Sequence, residues 1–141
     1  MRAIIIDDER LARIELKKLL QEYPEIEVIG EAGNVDEALK SIEELGPDIL
    51  FLDIQMPAKT GFDLLAELDA VPTVIFTTAH DEYALKAFEV NALDYLLKPI
   101  DPQRLADAIQ KLQTEIALEQ ASLMGVNRGP LTETDQVFVK D

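Results

Sequence analysis

Residues 3–9 read Ala3-Ile4-Ile5-Ile6-Asp7-Asp8-Glu9, an apolar β-branched run that breaks abruptly onto three acids. Four consecutive apolar side chains leave no polar face, so the run suits a strand covered on both sides, as in a parallel sheet flanked by helices. The acids then fall at the strand's carboxyl end. Working outward, the same arrangement returns. Ile49-Leu50-Phe51-Leu52 ends at Asp53, Val74-Ile75-Phe76 ends at Thr77-Thr78-Ala79, and the run from Ala92 to Leu97 leads into Lys98-Pro99. Ile26 to Ile29 is a more polar run and reads as a strand nearer an edge.

Helical spacing fills the intervals. Ala12, Leu16, Leu19, Leu20 and Tyr23 recur at steps of three and four, and Pro24 is expected to end that helix. Asn34 with Glu37 predicts a capping box, Val35, Ala38, Leu39, Ile42 and Leu45 form the stripe behind it, and Gly46-Pro47 stops it. Pro57 and Gly61 mark a loop before a short helix carrying Phe62, Leu65 and Leu68. Tyr83, Ala84, Ala87 and Phe88 mark a fourth helix, and Tyr83, Ala87 and Phe88 read as its core stripe. Asp101 stands as a cap before Pro102, at a first helical position where a missing N–H costs nothing, and Leu105, Ile109, Leu112 and Ile116 follow. Strand–helix alternation repeated five times predicts an α/β fold, a doubly wound five-stranded parallel sheet. Residues 1–120 read as one domain. Residues 121–135, with Gly125, Gly129 and Pro130 and no period, read as a linker. Residues 136–141, opening Gln136-Val137-Phe138-Val139-Lys140, are expected to be the truncated start of a further domain.

Composition narrows the chemistry. The 141 residues hold no cysteine and one histidine, His80, which excludes disulfides, thiolate zinc sites, cysteine nucleophiles and multi-histidine metal sites. Acidic residues number 28 against 13 basic, a formal net charge of -15 that repels phosphate backbones, so direct nucleic-acid binding by this chain is disfavoured. No apolar run approaches the roughly 18 residues of a membrane span, and the first one ends in acids, so the expected location is the cytoplasm.

In a doubly wound sheet, ligands bind beyond the carboxyl ends of the strands where strand order reverses. Those ends here carry Asp7 and Asp8, Asp53, Thr78 and Lys98. Each residue alone has an ordinary reading, as a cap, a turn residue, a strand-end hydroxyl or a surface lysine. Joint placement at strand ends favours one shared site. Clustered carboxylates raise one another's pKa unless a cation neutralises them, and an all-oxygen set suits a hard divalent ion such as Mg²⁺. A phosphoryl group arriving at one carboxylate needs that ion on one side and donors such as Lys98 and Thr78 on the other.

Taken together, Ile5-Ile6-Asp7-Asp8-Glu9, Leu52-Asp53-Ile54-Gln55-Met56-Pro57 with Gly61, Thr77-Thr78-Ala79 and Tyr95-Leu96-Leu97-Lys98-Pro99 resemble the receiver domain of two-component response regulators, across residues 1–120. The resemblance implies a flavodoxin-like receiver fold with strand order 2-1-3-4-5. It implies that Asp53 accepts a phosphoryl group from a sensor histidine kinase. Asp8 would ligate Mg²⁺ directly, Asp7 largely through water, and the main-chain carbonyl of Gln55 would complete the metal site together with Asp53. Thr78 is implied as the switch hydroxyl, Lys98 as the ammonium paired with the phosphoryl group, Tyr95 as the aromatic whose rotamer follows activation, and Pro99 as the proline of a cis peptide bond. The domain would not be an enzyme beyond its own Mg²⁺-dependent phosphorylation and dephosphorylation. Residues 76–88 and 91–99, with the terminal Gln136–Lys140, are similar to receivers that precede LytTR-type DNA-binding domains. That implies transcription regulation, with DNA bound only through the missing output domain. A phosphorylation-promoted homodimer is expected through the fourth helix, fifth strand and fifth helix, where Lys86, Glu89, Asp107 and Lys111 mix with Val90 and Leu93.

Three other readings compete. A flavodoxin-like electron carrier needs a donor-rich phosphate loop after the first strand, where Asp7-Asp8-Glu9 would repel the flavin phosphate. A phosphatase using an aspartyl phosphate wants a second carboxylate two residues after the nucleophile, where Gln55 stands. A stand-alone receiver acting only through protein contacts is the remaining alternative, and Val137-Phe138-Val139 argues against it.

Overall fold

Three of the five strands are so apolar that only a sheet layered between helices can hold them, and the computed structural model, described for residues 1–123, has that arrangement. The strands β1 (Arg2–Ile6), β2 (Glu27–Ala32), β3 (Ile49–Asp53), β4 (Thr73–Thr78) and β5 (Asp94–Leu97) form one parallel sheet in the order β2-β1-β3-β4-β5. The helices are α1 (Arg10–Leu20), α2 (Val35–Leu45), α3 (Gly61–Ala66), α4 (Ala84–Glu89) and α5 (Pro102–Leu123), with a 3₁₀ turn at Asp81–Tyr83. The chain divides into two compact units after Ala108. The first contains the whole sheet; the described part of the second is the remainder of α5.

Ile4, Ile5, Ile6, Ile49, Leu50, Phe51, Leu52, Ile75 and Phe76 are fully buried, which places β1, β3 and β4 at the centre and packs their carboxyl ends from both faces. β2 is only partly covered, as an edge strand should be. It runs farther than its apolar stretch because Gly30, Glu31 and Ala32 continue the ladder against Ile4, Ile5 and Ile6. Glu31 is held there by Lys17 at 2.5 Å and Arg13 at 2.9 Å, and a hydrogen bond from Lys17 keeps its carboxyl below the usual carboxylate range.

Several element ends differ from expectation. α1 finishes at Leu20, before Pro24, in turns such as Tyr23 N–H to the Leu20 carbonyl at 2.9 Å. Asn34 caps α2 by accepting from the Glu37 N–H at 2.8 Å, but the Glu37 carboxylate accepts from the Gly33 N–H, one residue before the cap, at 2.9 Å. Gly46 then ends α2 in the left-handed region, φ 56°. Thr60 and Asp63 form the full reciprocal box that starts α3. β5 begins at Asp94, because Asn91 turns the chain at φ 62° and the Ala92 N–H closes onto the Ala87 carbonyl. Phe88 is a correction: Ala87 is buried and Tyr83 half-buried, but Phe88 is 78% exposed, since a six-residue helix preceded by a 3₁₀ turn does not carry one apolar stripe through all three. At the C-terminal side, α5 continues through Leu123, so Ala121 to Leu123 are helical where a linker was expected. The rest of that linker and the strand expected at 136–141 lie outside the described residues.

Candidate functional site

β1 and β3 are adjacent and in register from Ala3 opposite Ile49 to Ile6 opposite Leu52, so Asp7 and Asp53 leave the sheet side by side. Asp7 and Asp53 are each 4% exposed, whereas Asp8 is exposed. One carboxylate oxygen from each of the three lies within 4.8 Å of the others. The strand-end placement therefore brings these acids together, as the sequence led one to expect.

Main-chain bonds lock the carriers. The Asp7 N–H donates to the Ala32 carbonyl at 3.0 Å, and the Asp7 carbonyl accepts from Arg13 Nη1 at 2.6 Å. Asp7 Oδ1 accepts from the Glu9 N–H at 2.9 Å. Behind Asp53, Ile54 donates to the Thr77 carbonyl and Gly61 to the Ile54 carbonyl. A Cβ on Gly61 would lie 2.5 Å from the Asp53 carbonyl oxygen and 3.1 Å from Leu52 Cγ. Only glycine allows α3 to start this close beneath the strand end.

Lys98 arrives from β5. Its Nζ lies 2.6 Å from Asp7 Oδ2, 3.7 Å from Asp53 Oδ2 and 3.9 Å from Glu9 Oε1. The Lys98–Pro99 peptide bond is cis, and the Lys98 N–H donates to the Thr78 carbonyl at 2.7 Å. Thr78 is 1% exposed, and its Oγ1 accepts from the His80 N–H at 3.2 Å. Tyr95 is half-buried and its hydroxyl donates to the His80 carbonyl, while Arg104 grips the Asp94 carboxylate at 2.6 and 3.0 Å and the Tyr95 carbonyl at 2.9 Å.

The electrostatics follow from this crowding. Burial, then the charge of Asp7 and the proximity of Asp8, push the Asp53 carboxyl up to about 7, against the pull of Lys98. Burial acts to lower the Lys98 ammonium, but the bond to Asp7 and the charges of Asp53, Asp7 and Glu9 outweigh it and hold the pKa above the usual lysine range. Three carboxylates against one ammonium leave two formal negative charges, the deficit one divalent cation balances. The donors are all oxygen, so the set fits Mg²⁺: Asp7, Asp8 and Asp53 would hold it, with the Gln55 carbonyl as the expected further ligand.

The sequence reading missed one contact. Gln55 Nε2 donates to the Tyr83 hydroxyl at 2.9 Å, joining the segments that follow β3 and β4. No spacing signals a bond between a loop and a 3₁₀ turn, and the apolar stripe assigns Tyr83 to the core.

Residues 3–110 match the family model described as the response regulator receiver domain. Similar curated proteins include an uncharacterized response regulatory protein of Vibrio cholerae serotype O1, 49% identical over 96% of this chain and 62% of its own length. Transcriptional regulatory protein BtsR of Escherichia coli K12 is 45% identical over 93% of this chain and 56% of its own length. The chain thus spans less than two thirds of either relative. Among solved structures, the response regulatory domain of protein mrkE from Klebsiella pneumoniae matches with TM-score 0.74 and 36% identity, covering 85% of this chain and 99% of that one. The receiver domain of AraT from Geobacillus stearothermophilus matches with TM-score 0.75 and 34% identity, covering 84% of this chain and 97% of that one. Among the described residues, no helix is long and apolar enough to cross a membrane.

Proposed function

Because the chain belongs to the response regulator receiver family, we propose that Asp53 accepts a phosphoryl group from a sensor histidine kinase. The observation that carries this reading is the buried Asp53 carboxylate standing among Asp7, Asp8 and the Lys98 ammonium. An Asp53 carboxylate oxygen bonds to phosphorus as the bond from phosphorus to the kinase imidazole nitrogen breaks, its electron pair remaining on the ring. A divalent cation at the acidic cluster supplies charge neutralisation for the arriving oxygens. Lys98 pairs with the same group from the other side. Thr78 Oγ1 accepts from His80, and its hydroxyl proton remains available to a phosphoryl oxygen. The kinase has an approach: an open groove of about 1000 Å³, lined by residues including Asp7, Arg10, Leu11, Leu19, Lys98 and Pro99.

The switch is local. Movement of Thr78 toward the phosphoryl group carries His80 with it and alters the support of Tyr95, whose hydroxyl rests on the His80 carbonyl. That change reaches α4 and β5, whose Leu85, Phe88 and Leu97 are 69%, 78% and 44% exposed, and a second phosphorylated copy pairs there. By analogy with the longer relatives, one of them named a transcriptional regulator, the whole protein regulates transcription, and DNA is bound outside this acidic domain by a LytTR-type region. The protein acts in the cytoplasm, where kinase and DNA meet it.

Incubation with phosphoramidate and Mg²⁺ should add one phosphoryl mass, absent from Asp53→Asn and slow to form in Asp8→Ala. An undiminished adduct in Asp53→Asn would overturn the assignment.

A further inference from the structure

Tyr83 ends the 3₁₀ turn before α4, and its hydroxyl accepts from Gln55 Nε2 at 2.9 Å across 28 residues of sequence. Gln55 lies two residues past Asp53, and Tyr83 five past Thr78, so the bond ties the segments leaving the adjacent strands β3 and β4. The phenol stands on an aromatic column. Its ring centroid is 6.1 Å from that of Phe62, Phe62 is 5.0 Å from Phe76, and Phe76 is fully buried in the core. His80 meets the Tyr83 ring edge-on at 6.4 Å, and the Lys86 ammonium lies 4.8 Å from the Phe62 centroid. A hydroxyl mounted this way is fixed relative to the sheet. Gln55, by contrast, is exposed and belongs to neither β3 nor α3.

We propose that Tyr83 is a positioning residue for the divalent-cation site: by holding the Gln55 carboxamide it fixes the Gln55 main chain, whose carbonyl serves the cation. The inference rests on the reading of the acidic cluster given above and adds to it the group that orders its loop. Without the tether the ligands are all still present, but the loop must be ordered as the cation binds, and the affinity falls by the cost of that ordering.

The probe is Mg²⁺ alone, titrated into the full chain and followed by amide NMR, so phosphorylation is not involved. Tyr83→Phe keeps the aromatic column and removes the acceptor. Gln55→Leu removes the donor and keeps the main-chain carbonyl. Each should weaken Mg²⁺ binding about two- to tenfold, the range one neutral hydrogen bond is worth, and the double variant should be no weaker than either single. In Tyr83→Phe the Gln55 side-chain NH₂ resonances should move. Mg²⁺-induced shifts at Asp81–Glu89 should fade in this variant while those at Asp8 persist. Unchanged affinity in Tyr83→Phe, or single effects that add in full, would overturn the positioning role alone. A wild-type chain with no Asp8-dependent Mg²⁺ binding would overturn the cation site itself, and the positioning role with it.

Discussion

Asp53 is an acid whose surroundings work against its charge. Its carboxyl sits at about 7, so between roughly pH 4 and 7 the folded state holds a proton that the unfolded state has released. The unfolded state then binds fewer protons, and stability falls as pH rises through that window. A divalent cation bound at the ionised cluster would reverse the loss. Denaturant unfolding at pH 5 and pH 8 should therefore show a larger Mg²⁺-dependent gain at pH 8, about 3 kcal/mol when the ion is at a hundredfold its Kd. Asp53→Asn should raise cation-free stability at pH 8 by roughly 1–3 kcal/mol and flatten the pH dependence. Equal Mg²⁺ gains at both pH values would contradict this electrostatic account. The convergence of Asp7, Asp8, Asp53 and Lys98 was legible because each stands at or just beyond the carboxyl end of a strand of one parallel sheet. The Gln55–Tyr83 bond was not, since a hydrogen bond between two loops depends on where both chains have already been placed.

Elements differ in how far local pattern determines them. The Val35–Leu45 helix was legible to the residue, because its cap and its terminal glycine act within one turn. β2 was not, because Gly30 and Glu31 carry no apolar pattern, and the partners of the Glu31 carboxylate, Lys17 and Arg13 of α1, lie 14 and 18 residues away. α4 shows the opposite failure: a convincing stripe that the preceding tight turn rotates out of phase, leaving Phe88 in solvent. The start of α3 is the most stringent junction. Gly61→Ala must displace the Asp53 carbonyl or the helix itself, and is expected to cost roughly 1–3 kcal/mol. The urea midpoint should fall with the m-value unchanged. Mg²⁺ affinity should fall too, because the displaced atoms belong to Asp53. A variant as stable as the parent would show that α3 can retreat freely.

For the whole molecule, the balance lies between an apolar face and a large net charge. Leu85, Phe88 and Leu97 favour pairing, while the -15 charge opposes it most strongly at low salt. Sedimentation with beryllofluoride, a phosphoryl mimic, should therefore show dimers that strengthen as salt rises from about 20 to 200 mM. Phe88→Asp should restore the monomer without lowering stability by more than about 0.5 kcal/mol, as expected for an exposed site. Dimers that persist in Phe88→Asp would place the contact elsewhere.

The short fourth helix has a further consequence, in the time domain. α4 has six residues, and Ala87 is its one buried side chain, whereas β1 and β3 are sealed on both faces. Backbone amides of β1 and β3 should exchange with deuterium only when the entire domain opens, and their rates should track global stability across a denaturant series. Amides of Ala84–Glu89 should exchange orders of magnitude faster and be nearly indifferent to denaturant. The molecule would thus keep its acid cluster on a slow-breathing scaffold and its contact face on a faster one, so that the face can be re-formed many times within the life of one folded chain.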